Sequence, residues 1–294
     1  MVSRINSVVI PAAGRGTRLL PATKTTPKEL LNVYDRPALQ FAIDEAIDLG
    51  VDRIIIVLHP DKGAIKDYLA ADAKYVSWLR VGGKLDLAKA LQGLDVPTHI
   101  EIVFAEQSEP LGLGHAVMCA AGLTLPGPFG VILPDDLIFG ASCLSEMAAQ
   151  YVRGHMIAAM EVGMADTASY GIFALAGLSI GCCVPVSGMV EKPAPGHAPS
   201  RLAAVGRYIL DPRIFDGLPH VARGAGGEIQ LTDAIVRDAP RMPLTAFRFS
   251  GTRYDCGTHD GLMDASLARQ AFVKQRQVSQ SHVMQAGQSL PANA

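Results

Sequence analysis

The run Arg53-Ile54-Ile55-Ile56-Val57-Leu58 constrains this chain more than any other segment. Its five apolar residues follow one another without polar alternation, so neither face of the strand they form can meet water. Such a strand belongs inside a sheet with helices on both sides. Its flanks agree. Residues 37–49 carry Leu39, Ile43, Ala46 and Ile47 at helical spacing, with Pro37 suited to a first turn and Gly50 to the position just past the end. A second helix is expected over about 61–71, and another within 74–94.

The same alternation runs through the first half of the chain. A strand over 7–10 ends at Pro11, and a strand over 101–104 leads through a glycine-containing loop to a helix over about 114–122. A strand over 130–133 ends in Pro134-Asp135-Asp136, and a helix over 142–153 precedes a strand over 156–162. This order predicts an α/β fold with a doubly wound, Rossmann-like, mostly parallel sheet, which binds ligands at the carboxyl ends of its strands. The loops 11–28, 105–115 and 134–137 all follow strands and should converge on one cleft.

From residue 171 the pattern changes to shorter strands, at 171–176, 188–190, 203–209 and 244–249, interrupted by a helix near 228–237. This predicts a mixed, antiparallel extension of the same sheet. Residues 254–257 then lead to a helix over 259–274. The expected organisation is one domain over 1–275, with halves at about 1–165 and 166–258 and that helix closing it. A flexible tail is expected over 276–294.

Charge excludes several classes of partner. Lys and Arg number 26 against 28 Asp and Glu, a net charge of −2, so no bulk field attracts nucleic acid or an anionic membrane. The five cysteines are odd in number and irregularly spaced, which suits reduced thiols in a cytoplasmic protein rather than a disulfide framework or a zinc site. The N-terminal apolar run is too short for a signal peptide, and no uncharged apolar stretch is long enough to span a bilayer. Any anion bound here must be held by a local cluster of donors.

One such cluster stands directly after the first strand, in Ala12-Ala13-Gly14-Arg15-Gly16-Thr17-Arg18 and on through Pro27-Lys28. Gly14 and Gly16 let backbone N–H groups approach a ligand, while Arg15, Arg18, Lys24 and Lys28 supply positive charge within fourteen residues. The combination describes a polyphosphate cradle. It is neither a Walker loop, since Gly16 is followed by Thr17-Arg18, nor a dinucleotide fingerprint, since Leu19 replaces the third glycine.

Three further segments carry chemistry. Asp135 and Asp136 at a strand end suit a magnesium ion carrying substrate phosphates, with Asp255 as a further acid; an Asp pair also suits a plain turn. Gln107 offers an amide to a base edge, and Gly112 and Gly114 let that base lie against backbone. His115 is expected to serve structure, such as capping the following helix. Glu191 and Lys192 should point to opposite faces of a strand and so not form a simple ion pair.

Taken together, GRGTRLLPATKTTPKELLNVYDRPALQ, EQSEPLGLGHAV, LPDDL, YGIF, VEKPAP, APSRLAAVGRYIL, GGEIQLTDAI and YDCGT resemble, in this order, the sugar-1-phosphate nucleotidylyltransferases. PLGLGHAV, VGRYIL and GEIQLTD are most similar to the bacterial UTP–glucose-1-phosphate uridylyltransferase branch. The resemblance covers about nine tenths of the chain. It implies a nucleotide-binding first half and a sugar-binding second half. Nucleotide contacts would come from Ala12, Ala13, Gly14, Gly16, Thr17, Gln107, Gly112 and Asp136. Arg18, Lys28 and Lys192 would be the catalytic cations, the first two on the triphosphate and Lys192 on the sugar phosphate. Tyr170, Gly171, Glu191 and Lys192 would bind the sugar, and Asp135 with Asp255 would hold Mg²⁺. The implied assembly is a homodimer or homotetramer, to which the C-terminal helix contributes. Residues 59–100 match only loosely, and Gly181-Cys182-Cys183 is unusual for the branch.

The implied reaction is transfer of UMP from UTP to glucose 1-phosphate. A sugar phosphate oxygen is already anionic near pH 7, so attack on the α-phosphorus needs cations and positioning rather than a general base. The same chemistry with dTTP or galactose 1-phosphate stays open, because one base methyl is worth only about 1–3 kcal/mol. So does a catalytically silent UDP-glucose-binding relative, although a silent binder has no need of Arg18, Lys28, Asp135 and Lys192 together.

Overall fold

Buried runs of β-branched residues set the centre of the structure. The computed structural model describes residues 4–194 and 196–287, with the backbone alone for 225 and 277–287. The chain begins with β1 (Ser7–Pro11), a two-residue ribbon of β2 (Asn32–Val33) and β3 (Arg36–Pro37), α1 (Ala38–Leu49) and β4 (Arg53–Leu58). Three helices follow, α2 (Gly63–Leu69), α3 (Ala73–Val81) and α4 (Leu85–Gln92). Then come β5 (Glu101–Glu106), α5 (Gly112–Cys119), β6 (Phe129–Ile132), β7 (Asp136–Phe139) and α6 (Cys143–Gln150). The second half holds β8 (His155–Glu161), β9 (Gly171–Leu175), β10 (Cys183–Glu191), β11 (Leu202–Leu210), the single turn α7 (Ile214–Gly217) and α8 (Leu231–Asp238). It ends with β12 (Leu244–Arg248), β13 (Thr252–Asp255) and α9 (His259–Gly287).

Nine strands form one mixed sheet in the order β5-β4-β1-β6-β11-β8-β12-β10-β9. The first four are parallel, with β1 between β4 and β6. Among the described residues, parallel pairing recurs only between β8 and β12. The other described pairings in this sheet are antiparallel; β11 comes back from the second half to lie between β6 and β8 and also touches β9. The expected extension is therefore woven into the sheet rather than added at its edge.

Alternate residues of the central strands feed two cores. Val9, Ile55 and Val57 face α5 and α8 with Val117, Leu231 and Ile235. Val8, Ile10, Ile54 and Ile56 face α1 and α6 with Leu39, Ile43, Leu144 and Met147. Both faces of β4 are covered, as its unbroken apolar run requires. Gly50 closes α1 in the left-handed conformation, φ +75°, its N–H donating to Ile47 O.

Several boundaries differ from those predicted. Residues 74–94 form two helices, α3 and α4, with a small core of their own at Val76, Leu79 and Ala88. The helix predicted over 114–122 starts earlier, at Gly112, which brings both glycines into its first turn. Asp136 opens a new strand, β7, which pairs with β13 so that Asp136 and Asp255 stand opposite each other. The C-terminal helix continues to Gly287, past its expected end near 274; of the predicted tail, residues 288–294 lie outside the described chain.

Gly206 in β11 shows how closely the sheet holds the turn between β6 and β7. Its N–H donates to Asp136 Oδ2 at 2.7 Å, and its carbonyl accepts from Leu133 N–H at 2.8 Å. A Cβ here would stand 2.7 Å from Leu133 Cβ and 2.8 Å from Asp136 Cβ, so only glycine fits. Gly206→Ala should cost about 1–3 kcal/mol of stability through overpacking. Urea unfolding should show a lower midpoint with an unchanged slope.

Candidate active site

The loop after β1 is pinned from below. Ala12 N–H donates to Val57 O at 2.8 Å, which extends the β1–β4 ladder by one residue and buries Ala12 and Ala13. The chain then surfaces, leaving Gly14, Thr17 and Arg18 exposed and Leu19 buried as the anchor. Gly16 is left-handed at φ +68°, and its carbonyl accepts from Thr23 Oγ1 at 2.8 Å. A side chain at 16 would crowd Thr23 and Lys28, which runs beneath the loop.

Lys62 does the pinning. Its ammonium donates to Ala12 O at 2.7 Å, to Gly14 O at 2.6 Å, and to both carboxylate oxygens of Glu29 at 2.8 and 2.9 Å. Both side chains are buried. Glu29 is next to Lys28, so one ammonium joins the glycine loop to the segment carrying that cation. Lys62 lies in the loosely matching stretch 59–100. The rule that gathered the other post-strand loops also covers the loop after β4, and that placement is the signal that could have found it.

Lys28 reaches across to Asp135 and forms an ion pair with it. Burial alone would lower the Lys28 pKa and raise that of Asp135. The pair outweighs burial, holding the lysine above and the carboxyl below their ordinary values, so both are charged. The turn carrying Asp135 is clamped from β11. Arg207, fully buried, donates Nη1 to the carbonyls of Leu133 and Asp136 and binds Glu45 Oε2 through Nε at 3.0 Å and Nη2 at 2.7 Å.

Asp136 is committed to this framework. One carboxylate oxygen accepts from Gly206 N–H and the other from Arg253 Nε. Each oxygen thus has an internal donor, and the carboxylate holds the turn. Arg253, which the sequence did not single out, also donates to Tyr170 OH at 2.8 Å, lies 5.3 Å over that ring, and approaches Asp255 Oδ2 at 3.7 Å. Asp255 Oδ2 is also 4.0 Å from Arg18 Nη1, and Cys256 N–H donates to Asp135 O at 2.8 Å. Arg253 and β13 thereby bring Arg18, Asp135, Asp255 and Tyr170 into one neighbourhood.

On the opposite side Gln107 leaves the end of β5, its N–H donating to Leu58 O at 2.8 Å. Its Nε2 lies 3.1 Å from Gly112 O and 3.0 Å from His115 Nδ1. His115 therefore does not cap α5; its ring turns to Gln107. A Cβ at Gly112 would stand 2.8 Å from Glu228 Cβ, and one at Gly114 would stand 2.6 Å from Ile229 O, so both make room for the segment before α8.

The sugar-side residues meet where β9 and β10 end. Gly171 is in register with Glu191, and Lys192 N–H donates to Tyr170 O at 3.0 Å. A Cβ at Gly171 would stand 3.1 Å from Glu191 Oε2. Lys192 departs from the expected strand alternation. Its φ of +44° turns the chain just past β10 and brings Nζ to 3.7 Å from Glu191 Oε1, so the neighbours do pair. The lysine side chain is still 61% exposed.

The comparisons with known proteins agree with this architecture. A family model described as nucleotidyl transferase matches residues 7–271. A UTP–glucose-1-phosphate uridylyltransferase of Bacillus subtilis is 40% identical over 269 residues, 90% of each chain. One from Pseudomonas aeruginosa is 40% identical over 269 residues, 89% of this chain and 95% of its own. A UDP-glucose pyrophosphorylase solved in complex with UDP-glucose superposes with a TM-score of 0.82 at 35% identity, over 91% of this chain and 99% of its own. The UTP-bound enzyme of Acinetobacter baumannii gives 0.82 at 36%, over 90% and 93%. A mixed sheet with a cationic glycine loop at its carboxyl edge is thus that of a nucleotidyl transferase. The chain belongs to that family, in the branch of the UTP–glucose-1-phosphate uridylyltransferases.

Lys62→Met should leave the Glu29 carboxylate buried without its partner, at a cost of about 3–5 kcal/mol in unfolding free energy. Adding Glu29→Gln to it should recover part of that loss. Urea unfolding of the single and double variants measures both.

Proposed function

We propose that the chain transfers the uridylyl group of UTP to glucose 1-phosphate, releasing pyrophosphate and giving UDP-glucose. The observation that carries this reading is the charged Lys28–Asp135 pair beneath the glycine loop, in a chain 40% identical over 90% of its length to a uridylyltransferase. A phosphate oxygen of the sugar attacks the α-phosphorus, and the bond from that phosphorus to the oxygen bridging the β-phosphate breaks. The barrier comes from bringing anions together and from charge gathering on the departing pyrophosphate.

Each residue then has a task. The backbone at Ala12, Ala13 and Gly14, with Gln107, receives the uracil; Gly16 and Thr17 follow the phosphates. Arg18 and Lys28 hold the triphosphate, and Lys192 holds the sugar phosphate while Glu191, Tyr170 and Gly171 meet sugar hydroxyls. Lys192 is exposed and engaged only at 3.7 Å, so an arriving phosphate can draw it from Glu191 at little cost.

The donor set also fits magnesium. No group of three Asp, Glu, His or Cys among the described residues forms a closed cage. Two carboxylates, Asp135 and Asp255, stand at the joined ends of β7 and β13, and Mg²⁺ is commonly held by one or two carboxylates with phosphate oxygens and water completing its shell. Bound there, the ion would neutralise charge on the nucleotide phosphates. Lys28, already on Asp135, orients that carboxylate.

We further propose a homodimer or homotetramer in the cytoplasm. Free cysteines favour a reducing compartment, and no described helix is long and apolar enough to cross a membrane. α9 buries Ala265 against the core yet presents Met263 at 61% and Leu267 at 57% exposure, which supports a contact between copies.

The test of the reaction is pyrophosphate release with UTP and glucose 1-phosphate, beside dTTP and galactose 1-phosphate. Turnover that favours either alternative substrate over its counterpart overturns the substrate assignment. Asp135→Asn should lower kcat about a hundredfold or more with the circular dichroism spectrum unchanged, and EDTA should do the same reversibly. Full activity of metal-stripped protein would remove magnesium from the scheme. Light scattering should show an oligomer that Met263→Glu with Leu267→Glu converts to monomer.

A further inference from the structure

The amide of Gln107 can sit only one way round. Gly112 O has no hydrogen to give, so the group 3.1 Å from it must be the NH₂; turned over, the amide would set two oxygens at that distance. The second hydrogen of the NH₂ points to His115 Nδ1 at 3.0 Å, which must then present a lone pair. The neutral imidazole consequently carries its proton on Nε2. Both hydrogens of the Gln107 amide are in use. The side chain is buried, the residue 4% exposed, and its carbonyl oxygen accepts no hydrogen bond among the described residues.

This oxygen is not sealed from solvent and has no donor among the described residues, so an N–H of a ligand can reach it. The Watson–Crick edges of bases differ at the ring nitrogen. Uracil and thymine carry an N3–H donor there, whereas N3 of cytosine is an acceptor and would face the Gln107 oxygen lone pair to lone pair. We infer that His115 is a specificity-determining positioning residue of the base site: by accepting from Gln107 it keeps the amide carbonyl toward the nucleotide, and so selects a pyrimidine with N3–H against cytosine. This rests on the reading that Gln107 faces the base. Gly112 supports the same orientation, its φ of +91° turning its carbonyl to the amide. The Cys119 thiol lies 3.9 Å from His115 Nδ1 and 4.0 Å from Nε2, one turn further along α5.

The variants are His115→Ala, which removes the acceptor, and His115→Asn, whose Oδ1 can stand near the position of Nδ1. Nucleotide binding is measured by calorimetry with UTP and CTP, and steady-state kinetics with glucose 1-phosphate accompany it. The unaltered protein should prefer UTP to CTP. His115→Ala should weaken UTP about fivefold, as expected for loss of one neutral hydrogen bond, and narrow the UTP-to-CTP ratio by a similar factor while KM for glucose 1-phosphate stays the same. His115→Asn should restore most of the preference. The inference is overturned if the unaltered protein binds CTP as well as UTP, if His115→Ala keeps the full preference, or if Asn behaves as Ala does. Binding with the expected preference but without turnover of glucose 1-phosphate would leave the inference standing and sink the proposed reaction instead.

Discussion

A guanidinium sealed inside an α/β core must be answered by acceptors on every side, and at Arg207 it is. The side chain is 1% exposed, and burial alone would lower its pKa; the Glu45 carboxylate outweighs that and holds it above the ordinary value. Its remaining donors take the carbonyls of Leu133 and Asp136, while Glu45 Oε1 accepts from Leu144 N–H at 2.9 Å. One buried pair therefore fixes α1, α6, β11 and the turn that carries Asp135. Removing either partner would leave an uncompensated charge in the core, whereas a solvent-facing pair of the same geometry would matter little. The position of Asp135, and through it of Lys28, depends on this interaction.

The charge arrangement of the site follows from the same physics. Each buried cation is matched: Lys62 with Glu29, Lys28 with Asp135, Arg253 with Asp136. In contrast, Arg18 and Lys192 reach their acids only at 4.0 and 3.7 Å and remain largely exposed. The Lys62–Glu29 and Arg253–Asp136 charges are spent on one another, and the loosely held Arg18 and Lys192 stay available to an anion. A chain with a net charge of −2 can in this way concentrate positive potential locally.

How much of this is legible in the sequence depends on the range of the interaction. The strand at 53–58 and the helix α1 follow from local periodicity and end signals, and the structure places both within a residue of expectation. The cationic glycine loop is legible because its residues are contiguous. Lys62, Arg207 and Arg253 are not, since each acts on partners 33 to 162 residues away and lacks a local pattern. Gly112 and Gly114 mark a close approach, but whether ligand or protein fills the space is decided by Ile229, more than a hundred residues on. The pairing of Lys192 with Glu191 escapes strand alternation because one positive φ breaks it.

The insertion of β11 between β6 and β8 has a consequence for synthesis. A ribosome releases the first parallel unit, β1 to β6, well before Gly206 and Arg207 exist, and Asp136 meets Gly206 across a sequence separation of 70. Until residue 210 has emerged, β6 has an open edge, Glu45 has no guanidinium, and the turn with Asp135 has nothing to hold it. The nascent chain thus carries the whole glycine loop but not the clamped Lys28–Asp135 pair. The turn is clamped only when β11 arrives, and Arg253 and Asp255 follow on β13 later still, so the neighbourhood of Asp135 is among the last parts of the molecule to be completed.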